Sequence, residues 1–197
     1  STQAKTLFPY TTLFRSVEYD KLLRRRRAEP QTAVKTLERE AFAIAHGELG
    51  SAMLADWGLP KVFCGAVEFA ENPDGAGHEP GSRSDVLTRS LQLAAAMAAL
   101  FIAPDAERAL HLPRVLDLGA RLDLPPALVG EIGDGVSRDW QAWGPLLEVD
   151  TPDVPTFEAL SAQAAELSAR AAEITFLEQR KFSFNSMTFA LKSEANI

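Results

Sequence analysis

A single cysteine, Cys64, excludes an internal disulfide, and this usage fits a reducing cytoplasmic compartment. The three histidines, His46, His78 and His111, are followed by Gly47, Glu79 and Leu112, so the chain contains no His-Asp dipeptide. It also contains no His-x-x-x-His metal spacing, no lysine of the phosphate-loop type and no GxGxxG order. Cationic charge is short as well: 20 Lys and Arg against 27 Asp and Glu leave a net charge of −7. General nucleic-acid binding needs a cationic face, which this balance argues against. No apolar run reaches the roughly 20 residues of a membrane helix. The longest, Leu91 to Ala103, is interrupted by Gln92 and followed by Pro104. Residues 1–16 lack the cationic start and continuous apolar core of a signal peptide. No stretch shows the two-residue alternation of a strand, and no internal repeat is present.

What the chain does have is helical periodicity and 46% apolar residues, enough for a packed globule. The spacing predicts helices over Glu18 to Arg27, Thr32 to Phe42, His46 to Trp57 and Pro60 to Glu71. Gly58 suits a helix C-terminus, because glycine takes positive φ without a Cβ clash, and Pro60 suits the next first turn. The corner Trp57-Gly58-Leu59-Pro60 therefore reads as stop, turn and restart, with Trp57 as a core anchor between two helices. Residues 72–84 read as a loop from their Gly, Pro, Asn and Ser content. Ser84 or Asp85 then caps a helix to about Ile102, followed by helices over Pro113 to Leu122 and Pro125 to Val149. Thr151 to Pro155 reads as a linker. Beyond it Phe157 to Glu178 carries Leu160, Ala164, Leu167, Ala171, Ile174 and Leu177 in steps of three and four, the spacing of a coiled-coil seam. The expected architecture is all-α.

The run Leu37 to Asp74 resembles the C-terminal half of an HDOD domain, the helical signalling relative of the HD metal-phosphohydrolases. The residues that carry the resemblance are Glu38, Glu40, Phe42, His46, Glu48, Gly50, Leu54 and the Trp57-Gly58-Leu59-Pro60 block. Ala66-Val67 and Asn72-Pro73-Asp74 follow it. The resemblance implies a truncated HD/HDOD-like helical bundle, extended by further helices and a long C-terminal amphipathic helix. It implies a non-catalytic regulatory module of bacterial signalling, in an order similar to modules that precede a diguanylate cyclase domain of cyclic di-GMP signalling. His46, Gly50, Trp57, Gly58, Leu59 and Pro60 then have structural roles. Many relatives end the helix after this block in a His-His pair. Here the stretch reads Glu68-Phe69-Ala70-Glu71, so even that trace of a ligand set is absent.

Four segments follow. Residues 1–16 read as non-native, since the string from Thr6 to Ser16 resembles translated sequencing adapter. Residues 17–150 form the partial HDOD-like domain with its added helices. Residues 151–180 form a linker and signalling helix, and residues 181–197 shift composition again, toward Phe, Ser, Asn and Lys. No catalytic, cofactor or metal residue is assigned. His46 reads as a helix-start residue bonding a loop carbonyl, His78 as an exposed loop residue, His111 as a cap or linker residue, and Cys64 as a buried thiol. Arg24 to Arg27 read as a solvated face pairing with acids such as Glu18 and Glu29. Trp140 and Trp143 read as core. Gly130, Gly133 and Gly135 mark a kink or a close helix crossing. Leu160, Leu167 and Ile174 are the expected partner interface, for an output domain or a second copy; nucleic acid and membrane are not expected partners. The alternative function is a metal-dependent HD-type phosphohydrolase.

Overall fold

A computed structural model of the chain describes residues 17–29, 31–149, 151 and 153–194, with side chains described as far as 175 except at 147. Among these residues all regular structure is helical. In chain order, α1 is Val17–Ala28, α2 Val34–Phe42, α3 His46–Asp56, α4 Lys61–Phe69 and α5 Arg83–Ile102. Then come α6 Asp105–Ala120, α7 Pro126–Trp143 and α8 Phe157–Glu194, with single 3₁₀ turns at Pro73–Ala76 and Gly144–Leu147. The readings for residues 1–16 and 195–197 lie outside the described residues.

The chain forms two compact units. One runs to Ala95 and takes in Arg121–Asp123; the other holds Ala96–Ala120 and everything from Leu124. The division falls inside α5, not in the proline-rich stretch 151–155.

In the first unit α3 and α4 are antiparallel neighbours joined at the Trp57 corner. The Leu59 N–H donates to Leu54 O at 3.0 Å and the Gly58 N–H to Ala55 O at 3.0 Å. Gly58 sits at φ +79°. This pair of bonds around a left-handed residue closes the carbonyls that α3 leaves unsatisfied. Pro60 is the residue before α4, and its carbonyl accepts from the Phe63 and Cys64 N–H groups. The two helices approach closely at Gly47 and Gly50. A Cβ on Gly47 would lie 3.0 Å from Glu68 O, and one on Gly50 would lie 2.9 Å from Val67 Cγ1. Leu37, Leu49, Cys64 and Ala66 fill the interior beneath.

Trp57 corrects the expectation of a core anchor: it is 65% exposed. As the C-cap residue it stands past the last turn of α3, and the corner is held by backbone bonds and by Gly58, not by the indole. Helix boundaries also differ from those read in the sequence. α6 starts at Asp105 and continues through Pro113. Proline removes one backbone donor and normally breaks a helix. Here its ring faces solvent while Arg108, Ala109, Leu112, Val115 and Leu118 are buried on the opposite side, so tertiary burial outweighs the local cost.

In the second unit α6, α7 and α8 pack together. Gly130 and Gly133 lie under the Phe157 ring, where added Cβ atoms would stand 3.3 and 3.1 Å from it, a close crossing as the sequence suggested. The stretch 151–155 is no free linker. Val154 is buried, the Arg108 Nη1 donates to Asp153 O at 2.9 Å, and Gln141 Nε2 donates to Asp153 Oδ1 at 3.1 Å. α8 opens on Thr156, whose Oγ1 accepts from Ala159 N, while Asp134 Oδ1 accepts from Phe157 N at 2.9 Å. The helix then runs 38 residues without a break at Arg180.

α5 is the described helix whose length and composition would suit a membrane span. Its Leu93, Met97, Leu100 and Phe101 are buried against the protein itself, which is the pattern of a core helix.

Candidate functional site

Of the two buried carboxylates among the described residues of the first unit, Glu38 and Asp85, Glu38 is the one with no exposure at all. α2 places Glu38 beside Leu37 on its inner face, and Glu38 is 0% exposed. Three donors converge on it. Tyr19 of α1 donates its hydroxyl to Oε1 at 2.8 Å. The backbone N–H of His46, first residue of α3, donates to Oε2 at 3.0 Å. The His46 ring reaches both oxygens through Nδ1, at 3.0 and 2.8 Å. A carboxylate can only accept, so Nδ1 carries the proton of this contact. The far nitrogen, Nε2, stands 3.5 Å from Glu71 Oε1, just beyond the end of α4.

Local backbone geometry creates the arrangement. Ala43 takes φ +61°, left-handed for a residue with a Cβ, and its N–H closes onto Arg39 O at 2.9 Å. That turn swings the chain so that α3 begins over Glu38. Residue 45 is alanine, which has no side-chain acceptor for the free N–H groups of the new helix. Two glutamates act instead. Glu38 takes the His46 N–H, and Glu48 reaches back to the Ala45 N–H at 2.9 Å. Both also complement the positive end of the α3 dipole. Glu48 is paired with Arg39, with Nε 3.1 Å from Oε1, and this pairing, then the Ala45 bond, holds its carboxyl below the usual value. The pattern His46-Gly47-Glu48-x-Gly50 is therefore an assembly motif. His46 and Glu48 fix the helix start, and the glycines admit α4.

Burial, followed by the bond to Glu38, pushes the Tyr19 phenol above its ordinary value of 10.0. The neutral phenol is thus favoured in the fold. Its stabilisation is complete below pH 10 and is lost as pH rises toward the folded value. Tyr19→Phe is expected to flatten the fall in stability above about pH 10, as read by urea titrations across that range. Glu48 works in the opposite sense: its contribution is present above the ordinary value of 4.5 and is lost as pH falls below it.

His46 therefore bonds a buried carboxylate rather than the expected loop carbonyl. Gly50, Gly58, Leu59 and Pro60 act as backbone and packing elements, and Trp57 projects outward. The stretch Glu68 to Glu71 is also engaged: Glu68 Oε2 accepts from Ser51 Oγ at 3.2 Å. Behind it, Arg89 bridges Asp74 and Asp85, each at 2.8 Å. Asp85 also caps α5 by accepting the Gly81 N–H, while Ser82 Oγ accepts the Asp85 N–H. His78 is half-buried with its ring edge toward Phe69, not exposed, and His111 lies inside α6, not at a cap. Cys64 is a buried thiol, 3.6 Å from the carbonyls of Leu59 and Pro60. Arg24 pairs with Asp20, and Arg25 with Glu29 and Glu40, as a solvated face does. Trp140 stacks on Phe101, whereas Trp143 is 61% exposed. Among the described residues no three His, Cys, Asp or Glu side chains are grouped to hold a metal ion.

On α8 the three interface residues separate. Leu160 is 1% exposed, within its own unit, which removes it from any partner surface; Leu167 and Ile174 are exposed. Sequence reasoning missed the role of Glu38. Its adjacency to Leu37 on the buried face of a short helix was a readable sign. Nothing local marked Tyr19 as its partner.

The fold is all-α, and the first unit is a bundle of short antiparallel helices around a satisfied polar centre. The HDOD domain family model matches residues 11–73, from ahead of α1 through α4 to the first residue of the 3₁₀ turn. That stretch is similar to the HDOD domain and includes every motif residue named above except Asp74. The match begins within the segment 1–16 that the sequence reading set apart. No curated protein and no solved structure matches the chain.

Proposed function

We propose that this chain is a non-catalytic regulatory module of the HDOD type, acting through protein contacts to control an output domain. The observation that carries the reading is the engagement of His46. The one histidine at a family position is held through both its backbone and its ring by a fully buried glutamate. With its proton on Nδ1, the ring leaves Nε2 facing the Glu71 carboxylate, and a metal ion there would need further ligands that no group of described side chains supplies. Glu48, two residues on, caps α3 and pairs with Arg39. The HDOD match over residues 11–73 is compatible with such a module.

α8 supports a route for the output. At 38 residues it spans roughly 57 Å at 1.5 Å per residue. Its early turns pack on α6 and α7, while Leu167 and Ile174 stand exposed beyond them. A change in the pairing of this exposed seam would pass a signal along the chain. A diguanylate cyclase in a bacterial cytoplasm is the output domain the order of elements suggests, and self-association through α8 is the accompanying expectation.

The test is turnover of a chromogenic phosphodiester with manganese, in wild type and His46→Ala. Background rates in both, with a lowered melting temperature in the variant, are expected. Metal-dependent turnover in the wild type that disappears in a still-folded variant would establish the phosphohydrolase alternative.

A further inference from the structure

The chain between α7 and α8 doubles back along α7 on a track of small residues. Thr151 covers Gly144, where an added Cβ would stand 2.6 Å from Thr151 Cγ2. Asp153 meets Gln141, whose Nε2 donates to Asp153 Oδ1 at 3.1 Å. Phe157 lies over Gly130 and Gly133 and donates its N–H to Asp134 Oδ1 at 2.9 Å. As the connecting chain advances from 151 to 157, its contacts step backward from 144 through 141 to 134 and 130. Gly130, Gly133 and Ser137 are buried on this side of the helix.

The length of the chain makes this path taut. From Gly144 back to the midpoint of Gly130 and Gly133 is about 19 Å at 1.5 Å per residue. The six residue steps from 151 to 157 reach about 20 Å when fully extended. Almost no slack remains. Pro155 disfavours the helical region for Val154, which is buried at this point of the path.

α6 grips the middle of the path through Arg108. This residue is 3% exposed, and its Nη1 donates to Asp153 O at 2.9 Å and lies 2.8 Å from Asp105 Oδ1. The Asp105 side chain is 91% exposed, so water screens the ion pair. Arg108 Nε is buried with no hydrogen-bond partner among the described residues. An apolar side chain would fill this position with a smaller desolvation penalty. What it could not supply is the directed bond to the main-chain carbonyl of Asp153.

We infer that residues 151–157 form a taut strap that couples the direction of α8 to α6 and α7, with Arg108 as the positioning residue that pins the strap to α6. A taut strap passes a shift of α6 against α7 into α8, whereas a slack one absorbs it. The coupling does not depend on which partner reads α8. Double electron–electron resonance in the full chain tests it. Nitroxides are placed at Leu110→Cys on α6 and Glu173→Cys on α8, both exposed positions, in a Cys64→Ala background diluted with excess unlabelled chain. One narrow distance distribution is expected for this parent. Arg108→Met removes the donor, and the exposed Asp153 can turn its carbonyl to water. This variant is expected to at least double the width of the distribution while keeping the parent's urea midpoint. Inserting Gly-Ser between Pro155 and Thr156 adds slack without removing any buried group, and the same widening is expected. Should Arg108→Met fail to fold, the insertion decides alone. A broad distribution in the parent, or a parent-like width after the insertion, overturns the strap. A lowered midpoint with unchanged width in Arg108→Met makes Arg108 a packing residue and overturns its role as the pin.

Discussion

Glu38→Ala is expected to lower the melting temperature of the chain by roughly 10 °C, the largest loss from any single change in the first unit. The substitution removes the acceptor for the Tyr19 hydroxyl, the His46 N–H and the His46 ring. It leaves a cavity at a position with no solvent access. Donors left without their acceptor cost about 1–3 kcal/mol each, which puts the three together at about 3–5 kcal/mol. In chains of this size each kcal/mol moves the midpoint by about 2–4 °C. Glu38→Gln keeps the shape but weakens both contacts to the histidine, so an intermediate loss is expected. Thermal circular dichroism of the three proteins orders them wild type, Gln, Ala. Tyr19→Phe removes one of the donors and is expected to cost about 1 kcal/mol, within the usual range for a neutral partner.

Leu160→Asp is expected to unfold the second unit, whereas Leu167→Asp with Ile174→Asp changes only association. The three residues share a seam by sequence spacing, but only the first is enclosed. A carboxylate forced into that enclosed position, without a partner, costs more than about 4 kcal/mol. Changes at the two exposed positions fall within about 0.5 kcal/mol of wild type. Denaturant unfolding followed by circular dichroism separates the cases. Leu160→Asp loses helical signal from α6, α7 and α8 at low urea, while the double variant keeps the wild-type midpoint and shows a lower mass by light scattering. Equal midpoints for both variants would show that the first turns of α8 are not part of the core.

The helical class of this chain was legible because its apolar residues recur at helical spacing, and the glycine-dependent corner at Gly58 was legible because one residue type dominates that backbone state. The buried thiol and the arginine face followed from composition in the same way. Trp57 and Trp143 were misjudged because hydrophobicity alone does not say which side of a helix end a residue occupies. The start of α6 was missed because proline at 113 is a strong local signal that burial of Arg108 and Leu112 overrides. The site was harder still. The bond from Tyr19 to Glu38 spans 19 residues, and the bond from His46 depends on the left-handed turn at Ala43, which no sequence preference announces. The charge pattern at Asp74, Asp85 and Arg89 was likewise invisible until a loop folded back.

The central claim is that the His46 ring is a structural clamp on Glu38 and not a reactive or metal-binding group. Nitrogen NMR of the histidine side chains, with manganese titrated in, tests it most directly. The account predicts a slowly exchanging proton on His46 Nδ1, and no selective broadening of this ring as manganese is added. A bare Nδ1, or broadening centred on His46 and Glu71 at low manganese, would contradict it.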